Sequence, residues 1–98
     1  MNEVFEHEIF SEALKGCNPV VKDWVEKVKN QLRQNLLIGD PLRFHWLREK
    51  RLNERRVYFV TNVWSKKALF VAISGKKDQQ HVIDFIIKNR TEFFRRLI

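Results

Sequence analysis

The chain has 98 residues, 44% of them hydrophobic, and a formal net charge of +7 at pH 7. This length predicts one domain over residues 1–98, and the apolar content argues against a disordered chain. The single cysteine, Cys17, excludes an intrachain disulfide, and no apolar run approaches the roughly 20 residues that span a bilayer. The acids near the N-terminus are also unlike a secretory signal, so we expect a cytoplasmic protein without membrane contact.

The first part of the chain predicts one short strand and two helices. Val4–Phe10 has the character of a strand, and Ser11 can cap a one-turn helix that ends at Leu14. Asn18 and Pro19 form a helix start, because asparagine caps exposed N–H groups and proline suits the first helical position. Apolar residues then recur at three and four residues: Val20, Val21, Trp24, Val25, Val28, Leu32 and Leu36. This spacing predicts an amphipathic helix of about five turns.

The middle of the chain predicts three strands joined by short loops. Gly39–Pro41 ends the second helix, and the strands follow at Phe44–Leu52, Arg56–Thr61 and Lys67–Ser74. Short loops between consecutive strands favour an antiparallel meander. The third of these strands is nearly all apolar, which is typical of a strand that is central or covered on both faces.

The end of the chain predicts a helix from Gln79 to about Leu97, with Asp78 as its cap. Its apolar stripe is wider than a surface helix needs. Deep packing explains this width, and a contact with a partner or a second copy explains it equally well, so this helix is a candidate homodimer surface. The resulting order, β-α-α-β-β-β-α, predicts an α+β layer fold: a small antiparallel β-sheet with the helices packed on one face.

Positive charge is concentrated in Arg43–Arg56, whose sequence is RFHWLREKRLNERR. Residues 1–12 carry four acids and no base, whereas residues 43–77 carry ten bases and two acids. A localised positive field attracts polyanions, which indicates nucleic acid or an acidic protein as the partner. A basic solvated surface without a ligand is the alternative interpretation.

Three segments resemble a known family. Arg51–Phe59 is similar to the central hairpin of the RelE/ParE toxin superfamily, in which a basic and an aliphatic residue precede a short turn and an arginine opens the next strand. Ala68–Lys77 resembles that family's last strand and its basic exit, and Gly39, Pro41 and Leu42 resemble its G-x-P-L loop. The resemblance covers most of the chain and implies the toxin of a toxin–antitoxin pair.

The implied activity depends on the branch of the superfamily. RelE-like members cut mRNA in the ribosomal A site, so mRNA and the ribosome would be partners. ParE-like members inhibit DNA gyrase instead. In both branches a cognate antitoxin, usually with an acidic segment, covers the basic face.

The resemblance also assigns roles to single residues. Arg56 matches the arginine that RelE-like nucleases place at the scissile phosphate, and Arg51 matches the basic residue before the turn. Lys77 lies where these nucleases carry a basic residue after the last strand. Many of them also have a C-terminal tyrosine or histidine, but the matching position here is approximately Ile83, which cannot transfer a proton. His81 is the titratable side chain nearby.

The implied chemistry needs neither a cofactor nor a metal. The RNA 2′-OH attacks the adjacent phosphate, and preorganised cations stabilise the charged phosphorane. Arginine suits this task because its planar fork binds phosphate at two points and keeps its charge. The predicted catalytic residues are Arg56, Arg51, Lys77 and His81. The predicted RNA-binding residues are Arg48, Lys50, Arg55, Lys76 and His45.

Aromatic residues interleave with these bases and can either stack on nucleobases or belong to the core. We expect Phe59 and one of Trp46 or Leu47 to be buried, and Trp64 to be the most exposed aromatic. Because the C-terminal tyrosine is missing, a non-catalytic ParE-like gyrase inhibitor or a basic nucleic-acid-binding module remains the alternative to the endoribonuclease.

Overall fold

The structure, a computed structural model, describes residues 1–98 as one five-stranded sheet with four helices. In chain order the elements are β1 (Glu3–Glu6), α1 (Glu8–Lys15), α2 (Pro19–Gln34), β2 (Asp40–Leu42), β3 (Phe44–Leu52), β4 (Arg55–Asn62), β5 (Lys67–Gly75), a 3₁₀ turn (Lys76–Asp78), α3 (Gln79–Lys88) and α4 (Arg90–Arg95). Across the sheet the strands are ordered β1-β5-β4-β3-β2. The α+β class predicted from the sequence is therefore confirmed.

The predicted antiparallel meander is present in β3, β4 and β5. β1, however, lies parallel to β5, with Glu3 opposite Lys67, so the expectation of a purely antiparallel sheet is wrong. This pairing joins distant parts of the chain, and local patterns carry no information about it. The sequence analysis also missed β2, a three-residue edge strand that contains Pro41. Proline is tolerated at an edge because no neighbour needs its missing N–H group.

Helices cover both faces of the sheet, which corrects the expectation that they pack on one face. On the first face, α1 and α2 pack against Val57 and Phe59. On the second face, α3 and α4 pack against Tyr58 and Val60. Successive side chains of a strand point to opposite faces, so a strand that is apolar at every position needs a cover on each side. All four of these strand residues are fully buried.

The first helix begins earlier than predicted, so Ile9 and Phe10 are helical rather than extended. The buried His7 imidazole caps it: Nδ1 accepts a hydrogen bond from the Ile9 N–H at 3.1 Å. Nε2 then donates to the Glu92 carboxylate at 2.6 Å and ties α1 to α4. Histidine is not among the preferred helix caps, which explains why the sequence predicts a strand here.

The second helix begins as predicted. The Asn18 Oδ1 accepts a hydrogen bond from the Val21 N–H at 3.0 Å, and Pro19 is the first helical residue. The buried stripe consists of Val21, Val25, Val28, Leu32 and, after the helix ends, Leu36. Val20, at 67% exposure, lies outside it.

The predicted last helix is divided at Asn89 into α3 and α4. The Asn89 Nδ2 donates to the Phe85 carbonyl oxygen at 2.8 Å, and such side-chain bonds compete with continuation of a helix. The two pieces contribute residues to the same hydrophobic core: Ile83, Ile86, Phe93 and Leu97. Packing within one chain therefore explains most of the wide apolar stripe. None of the helices combines the length and the apolar character needed to cross a bilayer.

Candidate nucleic-acid interface

Two arginines predicted to contact phosphate lie directly opposite each other in the sheet. Arg51 of β3 pairs with Arg56 of β4, and Arg56 in turn pairs with Ser74 of β5. Directly paired residues project to the same face of a sheet. The three side chains therefore form a row across the end of the sheet at which the β3–β4 hairpin turns, on the face that α3 and α4 cover.

A buried carboxylate holds the two arginines. Glu49 is 1% exposed, and its Oε1 lies 3.1 Å from the Arg56 Nη1 and 3.3 Å from the Arg51 Nε. Its Oε2 accepts a hydrogen bond from the Gln79 Nε2 at 2.9 Å, which fixes the start of α3 to the same group. Glu49, Arg51, Arg56 and Gln79 are called the arginine cluster below.

The sequence analysis did not single out Glu49, although a signal was present. Glu49 and Arg51 are two residues apart in one strand, and a spacing of two places both side chains on the same face. A carboxylate at this spacing from an arginine, inside a basic strand, is a candidate for an internal ion pair.

The Arg56 guanidinium is buried and only partly satisfied. The residue is 7% exposed, its Nη1 bonds Glu49, and its Nε–H is buried without any hydrogen-bond partner. An unsatisfied buried donor costs about 1–3 kcal/mol. The cluster thus keeps one unsatisfied donor inside the protein, and Glu49 balances the charge of Arg56.

Arg51 is the accessible member of the cluster. Its side chain is 54% exposed, and its Nη2 lies 3.4 Å from the Asp40 Oδ2 on the neighbouring edge strand. Arg51 and Arg56 together therefore face two carboxylates, those of Glu49 and Asp40. The excess positive charge at this end of the sheet comes from residues outside the cluster.

That excess comes from three exposed bases, which outnumber the two exposed acids beside them, Glu54 of the hairpin turn and Asp78 of the 3₁₀ turn. Lys76 and Lys77 form the 3₁₀ turn directly after β5, and Arg55 opens β4 opposite Gly75. None of the three has an ion-pair partner among the protein's carboxylates. Because Gly75 and Ser74 pair with the first residues of β4, the turn that follows them lies at the same end of the sheet as the arginine cluster.

Two buried hydroxyl groups lie next to the cluster on the same face. The Tyr58 Oη and the Ser74 Oγ are 2.8 Å apart, and Tyr58 is fully buried. Burial raises the pKa of the Tyr58 phenol, and the hydrogen bond with Ser74 offsets only part of that effect. The phenol is therefore held in its neutral form and acts as a structural support.

Arg48 does not belong to this interface. Its side chain lies on the opposite face of β3 from that of Glu49. The residue is 8% exposed and donates hydrogen bonds to four backbone carbonyls. The acceptors are Ile38 (2.8 Å), Leu37 (2.9 Å), Gly39 (3.1 Å) and His45 (3.1 Å). Its guanidinium is engaged by the segment before β2 and by the start of β3, so its predicted contact with RNA would have to replace these hydrogen bonds. Lys50 shares the first face with Arg48, pairs with Val57, and is half-buried.

A glycine brings the edge strand close to Glu49. Gly39 has φ +80°, and a Cβ there would lie 2.5 Å from the Glu49 carbonyl oxygen. Asp40, the next residue, pairs with Glu49 and reaches the accessible Arg51. The Gly39–Leu42 loop therefore positions a carboxylate beside the arginine cluster.

The two predicted histidines lie away from the arginine cluster. His81 is exposed and lines a groove of about 240 Å³ with residues of α1 and β5, among them Ile9 and Ala72. His45 lies near the beginning of β3, whereas Arg51 lies near its end. Ile83, at the position where RelE-like nucleases carry a tyrosine, is a core residue at 6% exposure.

His45 belongs to a larger groove at the other end of the sheet. This groove has a volume of about 590 Å³, and the residues His45, Trp46, Trp64, Phe94 and Arg95 contribute to its walls. Trp64 is 92% exposed, whereas Phe59 and Leu47 are fully buried, as the sequence predicts. These five wall residues are called the aromatic groove below. Neither a comparison with protein-family models nor a comparison with curated proteins returns a match for this chain.

Proposed function

We propose that the protein is the toxin of a toxin–antitoxin pair and that it cleaves mRNA on the ribosome without a metal. The observation that carries the proposal is the arginine cluster: a buried guanidinium with one unpartnered N–H, held by Glu49 next to the accessible Arg51. The accessible Arg51 guanidinium, beside two unpaired lysines and next to the buried charge of Arg56, is a suitable environment for a phosphodiester.

The reaction is an internal transesterification. The 2′-oxygen attacks the adjacent phosphorus while its proton is removed, the bond from phosphorus to the 5′-oxygen breaks, and that oxygen takes a proton. The products are a 2′,3′-cyclic phosphate and a 5′-hydroxyl. Arg56 and Arg51 stabilise the negative charge on the phosphorane, and each such preorganised donor is typically worth about 2.7–4 kcal/mol.

Glu49 positions the arginines in this scheme. At 1% exposure its carboxylate does not reach a substrate, but it fixes the orientation of both guanidinium groups. Preorganisation of this kind lowers the barrier because the donors need not reorient when charge develops. The cost is that part of the positive charge is cancelled, so Lys76 and Lys77 supply the long-range attraction.

The proton carrier is assigned to Lys77. It follows Lys76 in the turn at the end of β5, is exposed, and has no carboxylate partner. His81, the first candidate from the sequence, lies in the separate groove with Ile9 and Ala72. The same unpaired bases, Arg55, Lys76 and Lys77, are the surface on which the acidic segment of an antitoxin would bind.

A specific observation favours a second function, that of a non-catalytic ParE-like gyrase inhibitor or nucleic-acid-binding module. Ile83 belongs to the core and His81 lies elsewhere, so no side chain that titrates near neutrality lies at the arginine cluster. General acid–base groups typically accelerate such reactions roughly 10²–10⁴-fold. A protein without them can therefore bind its target without cleaving it at a useful rate.

Two assays run on the same preparations separate these functions. The first measures cleavage of mRNA on programmed ribosomes, and the second measures gyrase-linked DNA breaks. The proposal expects cleavage in the first assay, a strong loss with Arg51→Ala and Lys77→Ala, and no gyrase-linked breaks. Lys22→Ala, an exposed base on α2, is the matched control and should act as the native protein does. Gyrase-linked breaks without mRNA cleavage would overturn the proposal.

A further inference from the structure

The aromatic groove lies far from the arginine cluster and is not used by the proposed reaction. It is lined by the end of β4 and the turn after it, by the first residues of β3, and by α4. Arg56 and Thr61, on the same strand, are five residues apart, which corresponds to roughly 17 Å at the rise of a β-strand. No residue of the arginine cluster lines the groove.

Three aromatic rings, those of Trp46, Trp64 and Phe94, contribute to the groove wall. Trp46 stacks on Phe44 with ring centroids 4.9 Å apart, and Phe94 meets Trp46 edge-on at 4.7 Å. These contacts lock Trp46 in place. Trp64 makes no ring contact with another aromatic residue and stands 92% exposed in the turn between β4 and β5.

The turn that carries Trp64 is ordered. The Asn62 Oδ1 accepts hydrogen bonds from the Trp64 N–H at 3.0 Å and the Ser65 N–H at 3.2 Å. The Ser65 hydroxyl in turn bonds to the Leu97 carbonyl oxygen. The ordered turn therefore fixes the point at which the exposed indole is attached, while the ring itself is free to turn towards a ligand.

The charge around the groove is positive. The segments that contain its lining residues, 43–46, 61–67 and 91–98, carry five bases and one acid, and one of these bases, Arg96, is paired with Glu8 at 3.0 Å. The bases are Arg43, Lys66, Lys67, Arg95 and Arg96. The one acid, Glu92, is bonded to His7 on the other side of α4. The only charged side chain in the wall itself is that of the exposed Arg95.

We propose that the aromatic groove binds an unpaired nucleobase of a single-stranded polynucleotide. Trp64 and Trp46 offer π-faces on which a base can stack, and Arg95 and the surrounding bases attract the phosphates on either side of it. Stacking on aromatics within a positive groove is the general means of binding single strands without sequence preference. This site goes beyond the proposed cleavage function, since it needs no reaction at the arginine cluster.

A nucleobase fits these observations better than the other occupants of an apolar groove. A second copy of this chain would bring the same cluster of positive charge against itself, and like charges at an interface oppose association. An aliphatic anchor of a peptide needs a deep pocket, whereas the exposed Trp64 provides a flat face. An aromatic wall with a positive rim matches a flat ring carried on a polyanion.

The test compares two labelled DNA octamers of equal charge, one with bases and one fully abasic, by fluorescence anisotropy. DNA lacks the 2′-OH, so the proposed cleavage cannot consume the probe. The native protein should bind the base-bearing octamer roughly 5- to 150-fold more tightly, since one stacked base is worth about 1–3 kcal/mol. Trp64→Ala should remove this preference, and Val20→Ala, a change at an exposed apolar residue on α2, should retain it.

The outcomes test the proposed base site and the proposed cleavage site separately. If the native protein binds both octamers equally, or if Trp64→Ala keeps the full preference, the base site is wrong. An acidic peptide whose binding is lost with Trp64→Ala, while binding of both octamers is unchanged, would give the groove to a protein partner and also refute the base site. Lys77→Ala should weaken binding of both octamers by the same factor. If it does not, the phosphate contacts proposed for the cleavage site fail while the base site stands.

Discussion

The two ends of the sheet differ in whether their clustered side chains have partners inside the protein. At the hairpin end, charged side chains are gathered and then largely balanced inside the protein, because Glu49 holds Arg51 and Arg56. At the other end, aromatic side chains are gathered and left open, with Trp64 almost fully exposed. The comparison shows that a high density of one residue type does not by itself define a free binding surface. The partners that the fold supplies decide which groups remain available.

The largest effect is expected at the hairpin end. Glu49→Ala leaves the buried Arg56 without its partner, and breaking a buried ion pair on one side typically costs about 3–5 kcal/mol in the free energy of unfolding. Asp40→Ala removes an exposed partner of Arg51 and should cost no more than about 1 kcal/mol. Urea unfolding followed by tryptophan fluorescence measures both. Equal effects of the two substitutions would show that Glu49 is not the organising carboxylate.

A second prediction compares Arg51 with Arg48, whose side chains lie on opposite faces of β3. Arg51→Ala should lower the rate of mRNA cleavage by roughly 10²–10³-fold, the effect of losing one preorganised donor, with a loss of stability of about 1 kcal/mol or less. Arg48→Ala deprives four backbone carbonyls of their donor and should destabilise the fold by at least about 1–3 kcal/mol.

The cleavage rate of each arginine variant is measured on programmed ribosomes at a temperature where the variant is folded. Folded Arg48→Ala should then cleave at close to the native rate. A folded Arg48 variant that is as inactive as Arg51→Ala would place Arg48 in the functional surface after all.

At the aromatic end the two tryptophans should behave differently. Trp46 contacts Phe44 and Phe94, and each aromatic pair is worth about 0.5–1.5 kcal/mol, so Trp46→Ala should lower the free energy of unfolding by roughly 1–3 kcal/mol. Trp64→Ala, at an exposed site without ring contacts, should stay within about 0.5 kcal/mol of the native value. Thermal and urea unfolding test this. A large loss with Trp64→Ala would mean that its ring supports the fold.

An effect smaller than that of Trp46→Ala is expected at Tyr58, next to the arginine cluster. Tyr58→Phe removes the hydrogen bond with Ser74 and should cost about 1 kcal/mol at pH 7. The folded-state pKa of Tyr58 is raised above its unfolded value near 10, so its contribution to stability is complete below that pH. The contribution is lost as the pH rises through the folded-state pKa.

The pH dependence gives this prediction a second readout. The unfolding free energy of the native protein should decline above about pH 10, and Tyr58→Phe should decline less steeply. Parallel curves for the two proteins between pH 8 and pH 11 would assign the alkaline sensitivity to other groups.

Much of the fold could be predicted because local rules decide it. Asn18 and Pro19 start α2, and the spacing of Val21, Val25 and Val28 identifies its buried side. The meander follows from three apolar strands and short loops. The parallel edge strand β1 and the covering of both faces could not be predicted in the same way. They depend on contacts such as that between Glu3 and Lys67, which no local pattern encodes.

For the candidate site, the sequence predicts only which residues are available and not how their side chains are arranged. The sequence places Arg51, Arg56 and Lys77 in the basic third of the chain, and the sheet brings Arg51 and Arg56 directly opposite each other. The sequence does not reveal that Arg48 is bound to backbone carbonyls. It also separates His81 from Arg56 by too long a stretch of chain to show whether the two side chains meet.

The sequence by itself determined the amount and the position of positive charge, the start of α2, and the strands that must be buried, because charge and apolar periodicity are properties of the chain. Only the tertiary structure decided which of those charges stay free. Glu49 and Gln79 are 30 residues apart and meet on one carboxylate, and Trp46 meets Phe94 across the sheet. Such contacts form only after distant segments pack together, because burial forces each polar group to find a partner wherever the fold provides one.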